Sequence, residues 1–379
     1  MSESSIAPMQ AWLAGPMPPE VSAAIERLRR APDVQRVAVM PDVHLAADVC
    51  IGVAVATSQL LYPQAVGGDI GCGMLAVALD TDATALAEPR VAGQVLAELA
   101  RAAPARRRNR RSLLAQPREL AEGELSHPKL ESVRRTEGAL EFATLGSGNH
   151  FIELQADEEE RLWIMIHSGS RALGQAIREH HLRLGEAAGH GLRSLDARTE
   201  QGRAYLHDAE HARRYARESR RAMAEQVGVV LQRACGANPC WETALETDHN
   251  HVARESHGGE ELWVHRKGAM RAQLGEHGVV PGSMGAASFH VEGRGHAPAL
   301  CSSAHGAGRA LSRTAARAAV SERELERQMR GVWFDSRMAA KLRDEAPSAY
   351  KDIRAVLRAE KELVKTTRVL RPVLNYKGG

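Results

Sequence analysis

The chain has 379 residues, 44% of them hydrophobic and 26% charged, proportions that exclude a largely disordered protein and allow a sizeable core. Its net charge of +3 is too small to mark a nucleic-acid binder by itself, so any basic surface has to come from local clustering. Five cysteines without regular spacing argue against a disulfide-stapled secreted domain, and residues 1–20 carry prolines rather than an apolar run; with no stretch suited to span a bilayer, a cytoplasmic protein is expected.

In chain order, apolar β-branched runs at residues 36–40, 51–57 and 74–79 are separated by glycine turns, and predict buried strands joined by loops able to carry chemistry. Residues 83–135 are polar and predict mainly helix. Within them Arg101, Arg106, Arg107, Arg108, Arg110, Arg111 and Arg118 follow with no acidic residue between, either a solvated face or a landing strip for phosphates. Strands return at 151–154 and 162–167, and a long helical pattern over 197–233 is stopped by Gly236 and Pro239. Residues 262–265 predict a short strand, 279–289 are glycine-rich, and helices resume after 307. No repeat or low-complexity linker divides the chain. The expectation is one large α/β domain over 1–379, with mixed β-sheets and surrounding helices.

The first chemical signal is Gly67-Gly68-Asp69-Ile70-Gly71-Cys72-Gly73, which sets a carboxylate and a thiol three residues apart among glycines. Such a backbone can bend close to an ion, and a thiolate beside a carboxylate favours a borderline-soft divalent metal over calcium or magnesium. Alone, such a thiol is more often an inert small apolar residue. His150 in Gly146-Ser147-Gly148-Asn149-His150 and His167 in Ile166-His167-Ser168-Gly169 lie where glycine turns meet strands, and Thr247-Asp248-His249-Asn250-His251 adds a further imidazole. Each could be a hydrogen-bonded structural histidine. Together Asp69, Cys72, His150, His167 and His249 supply ligands for two divalent ions bridged by the thiolate, with positions left for substrate oxygens.

A second signal is Ala304-His305-Gly306-Ala307-Gly308-Arg309, with Pro281-Gly282-Ser283-Met284-Gly285 upstream. Small neighbours keep the His305 ring accessible and its backbone N–H groups free for phosphate oxygens, and Arg309 can neutralise phosphate charge. A neutral imidazole so placed can attack the α-phosphorus of a nucleoside triphosphate. Arg266 and Lys267 add two adjacent cations suited to phosphates or an RNA backbone. No Walker-type loop and no lysine set as a nucleotidyltransferase nucleophile occur. On residues alone, two rivals stand beside nucleotidyl transfer: a dimetal phosphohydrolase acting on nucleotides or RNA ends, and a non-catalytic RNA binder resting on the arginine cluster.

With these motifs assembled, the chain resembles the RtcB family of GTP-dependent RNA ligases, from Met40-Pro41-Asp42-Val43-His44 to Tyr376-Lys377-Gly378. The resemblance implies an enzyme that joins a 3′-phosphate or 2′,3′-cyclic phosphate RNA end to a 5′-hydroxyl end, in RNA repair or tRNA splicing, with GTP and two manganese ions. It implies that Asp69, Cys72, His150, His167 and His249 hold the manganese and that His305 becomes guanylylated. Asn149, Glu153, Asn250, Ser283, Ser288, Ala307, Gly308 and Lys377 are implied nucleotide contacts, together with His305 itself. Arg309, Arg266 and Lys267 are expected near phosphates, and Arg106, Arg107 and Arg108 near RNA. An archease-like activator is a further expected partner. The chain departs from the family at Leu45-Ala46-Ala47-Asp48-Val49-Cys50, where glycines are usual, and in a short segment between Met74 and His150. These departures suggest a divergent paralogue dedicated to a specific cleaved RNA.

Overall fold

In the computed structural model, residues 6–378 are described; residues 1–5, part of the N-terminal stretch considered above, and Gly379 lie outside them. Two sheets organise the chain. The first contains β1 (Met9–Ala11), β2 (Val34–His44), β3 (Ile51–Thr57), β8 (Asn250–His257) and β9 (Glu260–Lys267) in the order β1-β2-β3-β9-β8, with β1 and β2 parallel. The second contains β4 (Gly73–Asp82), β5 (Phe151–Ala156), β6 (Arg161–Ser168), β7 (Pro239–Asp248), β10 (His277–Val280), β11 (Ser288–Gly293) and β12 (Val364–Lys377). Its order is β7-β4-β6-β5-β12-β11-β10, antiparallel throughout.

Strand pleating decides which side chains reach the site. Along β4, Leu75, Val77 and Leu79 join the main core, while Met74, Ala76 and Ala78 join a smaller cluster on the opposite face. The main core also takes Leu162, Ile164 and Ile166 of β6 and Ile152 and Leu154 of β5. It packs them against α2 (Pro89–Ala102), α3 (Arg171–Leu184) and α4 (Glu200–Cys235), the three long helices that follow α1 (Pro19–Arg29). With those alternating positions buried under helices, Glu153 and His167 necessarily project from the other face.

The structure corrects several local expectations. Helix does not cover all of residues 83–135: after α2 the chain is irregular from 103 to 117, so Arg106–Arg111 lie on a loop. The helices after 307 are short, and the chain returns as the 14-residue strand β12. Pro372 argues against a strand, yet it sits at a register shift in the pairing with β5, where a missing N–H is tolerated. The helix expected over 197–233 is α4, 36 residues from Glu200 to Cys235, ending on the left-handed Gly236.

Candidate active site

Two donor groups share one cysteine. Asp69, Cys72 and His150 form one, and Cys72, His167 and His249 the other; within each, the ligand atoms lie within 4.8 Å of one another. Cys72 Sγ is 3.5 Å from His150 Nε2 and 3.2 Å from His167 Nε2, and His167 Nε2 is 3.4 Å from His249 Nε2. The orientation of two rings is set from behind: His150 Nδ1 donates to Leu145 O at 3.1 Å and His167 Nδ1 to Asn149 O at 3.2 Å. Both Nε2 lone pairs are thereby turned inward.

Backbone pairing brings these ligands together. His249 N donates to Cys72 O, and Asn250 Nδ2 to Asp69 O, tying the Asp69 turn to the start of β8. Gly169 is required because a Cβ there would lie 2.3 Å from Asp69 Oδ1. Burial, reinforced by neighbouring imidazoles, pushes His167 and His249 well below the usual histidine range, which favours the neutral ligand form. Burial and the Asp69 charge push the Cys72 thiol up, the response of a thiol buried beside an anion before a cation is supplied. Convergent buried imidazoles, a carboxylate and a shared thiol fit a pair of divalent metal ions.

His305 lies at the same place, its ring centroid 4.5 Å from that of His249. Its Nδ1 donates to Asp42 Oδ2 at 2.6 Å, and its backbone N–H reaches the same oxygen at 3.2 Å. Asp42, at the end of β2, is fully buried. Gly308, at φ +71°, lets the His305 loop cross this strand, since a Cβ would lie 2.2 Å from Asp42 O. The expected nest is altered, because the N–H groups of His305 and Ala307 are spent on Asp42 and on Pro281 O.

A cleft of about 870 Å³ opens over His305. Asn149, Glu153, His167, Ser283, Ser288, His305, Ala307, Gly308, Arg309 and Lys377 line it, together with Phe151, Asn375 and Tyr350. At its deep end Glu153 accepts from Asn375 Nδ2 and Gln155 Nε2, both at 2.6 Å, and Gln155 also reaches Ser288 at 3.0 Å. Burial raises Glu153 to about 8 despite these bonds and nearby Lys377. Asn375 Oδ1 and Gln155 Oε1 are buried acceptors left without partners. Lys377 is held by Glu345 and faces the Phe151 ring at 5.8 Å.

Several basic residues differ from expectation. Arg266 is corrected: it is fully buried, paired with Glu255 at 2.5 Å and bonded to Ser302 Oγ and Leu300 O, and does not line the cleft over His305. Adjacent residues of a strand face opposite ways, so Lys267 diverges from it and donates to Val49 O at 2.7 Å. Neither Lys267 nor Asn250 lines the cleft, and Asn250 also accepts from Gly268 N. Arg309 does line it, with its nitrogens engaged by Leu311 O, Glu345, Tyr350 and Asp344 O. Arg108 is corrected as well, since its Nη2 pins the loop to Ala102 O and Ala143 O. Arg106 and Arg107 remain exposed, Arg107 pairing with Glu137 at 2.6 Å. Sequence reasoning gave no role to Asp42, Asn375 or Arg313, which pairs with Asp344 and Glu345 at the cleft wall. Asp42 had a signal in Met40-Pro41-Asp42-Val43-His44; Asn375 had none.

Comparison with known proteins agrees with this geometry. The family model described as tRNA-splicing ligase RtcB matches residues 24–127 and 114–378. The RNA-splicing ligase RtcB of Escherichia coli K12 is 37% identical over 404 residues, covering 98% of each chain, and RtcB1 of another E. coli strain is equally similar. The E. coli RNA-splicing ligase RtcB2 is 29% identical, covering 94% of this chain and 92% of its own. Among the described residues no helix is long and apolar enough to cross a membrane. The chain belongs to the RtcB family.

Proposed function

We propose that this RtcB-family RNA ligase joins RNA 3′-phosphate or 2′,3′-cyclic phosphate ends to 5′-hydroxyl ends, using GTP, two manganese ions and a histidine–GMP intermediate on His305. The observation that carries the reading is the hydrogen bond from His305 Nδ1 to buried Asp42 at the cleft. Donation from Nδ1 leaves the Nε2 lone pair to attack the α-phosphorus, and the carboxylate steadies the positive charge the ring gains. Manganese held by Asp69, Cys72, His150, His167 and His249 would supply charge to stabilise the leaving pyrophosphate.

Glu153 offers the acceptor that guanine N–H groups require, and Phe151 an aromatic wall for the base. His305 takes GMP from GTP as pyrophosphate leaves, and an RNA 3′-phosphate oxygen then attacks the same phosphorus and frees the ring. The 5′-hydroxyl finally attacks the capped 3′-phosphorus and GMP departs; a cyclic phosphate end is first opened by water. Arg309 and Arg313 supply positive field at the phosphates, and the exposed Arg106 and Arg107 contact RNA.

The reaction is placed in the cytoplasm, with an archease-like activator as a partner that would raise turnover. Dedication to one cleaved RNA is tested by ligating broken tRNA against broken ribosomal RNA, equal efficiency removing that idea. For the ligase itself, GTP labelled at its α-phosphate and incubated with manganese should leave an acid-labile, base-stable label on the protein, absent from His305→Ala. Released GMP with no adduct would point to a dimetal phosphohydrolase.

A further inference from the structure

Asp42 serves two imidazoles. Its carboxylate holds His305, while its backbone carbonyl lies 2.9 Å from His44 Nδ1. That contact makes Nδ1 the donor and leaves a lone pair on His44 Nε2. Among the described residues nothing in the protein bonds this Nε2, and the ring lines the same cleft as His305. Lys351 Nζ donates to Pro41 O at 3.0 Å and Val43 O at 2.6 Å, fixing the strand end that carries both Asp42 and His44. Guanylylation gives His44 no task.

We propose that His44 is the general base of the sealing step, removing the proton of the RNA 5′-hydroxyl. The proposal rests on the ligase reading above. Among the three displacements, His305 attacks through a lone pair and the RNA 3′-phosphate as an anion, so neither nucleophile sheds a proton. The 5′-hydroxyl does. Its oxygen forms a bond to the capped 3′-phosphorus, the bond from that phosphorus to GMP breaks, GMP leaves as an anion, and the proton passes to His44 Nε2.

The surroundings keep the ring ready. Burial is the largest influence and, with His305 and Lys351 and against the pull of Asp42, holds His44 down to about 4, so the ring is neutral before RNA arrives. The phosphates of a bound RNA end and its GMP cap counter the cationic neighbours and raise the basicity of Nε2 where the proton is taken.

His44→Asn retains an N–H near the Asp42 carbonyl and removes the base. Single-turnover reactions would follow protein–GMP, capped RNA and joined RNA separately. Guanylylation and capping should stay within about threefold of wild type while sealing slows by roughly 10²–10⁴-fold and capped RNA accumulates. A second substrate carries a 5′-thiol, which ionises near about 8.5 and attacks without a base. On that substrate the variant should recover to within about tenfold of wild type. Wild-type sealing of the hydroxyl end, an equal defect with thiol and hydroxyl, or guanylylation lost to the same degree as sealing would each overturn the proposal. A wild-type protein that forms no GMP adduct would instead remove the ligase reading and this proposal together.

Discussion

The two ends of the cleft are assembled in different ways. At the metal end four of the five donors sit in or beside glycine turns, and backbone carbonyls aim two of the rings: Leu145 O behind His150 and, from 18 residues away, Asn149 O behind His167. At the deep end the polar groups come from three strands brought together by pairing, with Glu153 and Gln155 on β5, Asn375 on β12 and Ser288 on β11. The metal end therefore draws its donors from short motifs that backbone pairing such as His249 N to Cys72 O joins, whereas the deep end is set by the order of the strands themselves. It also keeps a carboxyl buried among partly satisfied amides, a costly environment that a base with matching N–H donors would relieve.

The largest expected effect tests the sharing of Cys72. Cys72→Ala should remove both metal ions, seen as a fall from two to none per chain by elemental analysis, and slow ligation by roughly a thousandfold or more. Asp69→Ala should leave one ion; retention of one ion by Cys72→Ala would mean that the two donor groups are independent.

At the deep end, Glu153→Gln should lower the preference for GTP over ATP by about 10- to 100-fold, the range of one charged hydrogen bond, measured as adduct formation with each nucleotide. An unchanged preference would place base recognition elsewhere.

The same carboxyl makes a pH statement. Burial raises Glu153 from 4.5 to about 8, so the folded protein holds a proton that the unfolded chain releases. The stability this contributes is fully present below about pH 4.5 and is lost as pH rises through about 8. Glu153→Gln should therefore melt progressively higher than wild type between pH 5 and pH 8. Guanine N–H donors stabilise the ionised form, so GTP binding near pH 7 should release a proton from wild type and none from the variant. Calorimetry in buffers of different ionisation enthalpy would read this directly.

The smallest effect concerns neither end. Arg106→Ala and Arg107→Ala should each reduce the salt dependence of RNA binding by about one charge while leaving stability within about 0.5 kcal/mol and guanylylation intact. An unchanged salt slope would make the arginine loop a solvated surface.

Much of the donor cluster was legible because Asp69, Cys72, His150 and His167 stand in glycine-flanked motifs and the donor chemistry limits what the set could bind. Arg266 and Arg108 were misread for a shared physical reason: a guanidinium on a motif looks the same whether it meets phosphate or a buried partner. Only the positions of Glu255 on β8 and of the Ala102 and Ala143 carbonyls show where those charges are spent. β12 is not visible in the sequence pattern because Pro372 interrupts it and one of its two pairing partners, β5, lies more than two hundred residues away in the chain.

By itself the sequence determined the α/β class, the long helix ending at Gly236, and the donor chemistry carried by Asp69, Cys72, His150, His167, His249 and His305. These follow from patterns a few residues long, in which hydrogen bonding and side-chain chemistry are local. Only the tertiary structure decided that Asp42 would meet His305 across 263 positions, that Asn375 would reach Glu153, and that His44 would share the cleft. Those contacts are set by strand order and crossing loops, whose energy depends on burial and pairing between distant segments rather than on any local motif.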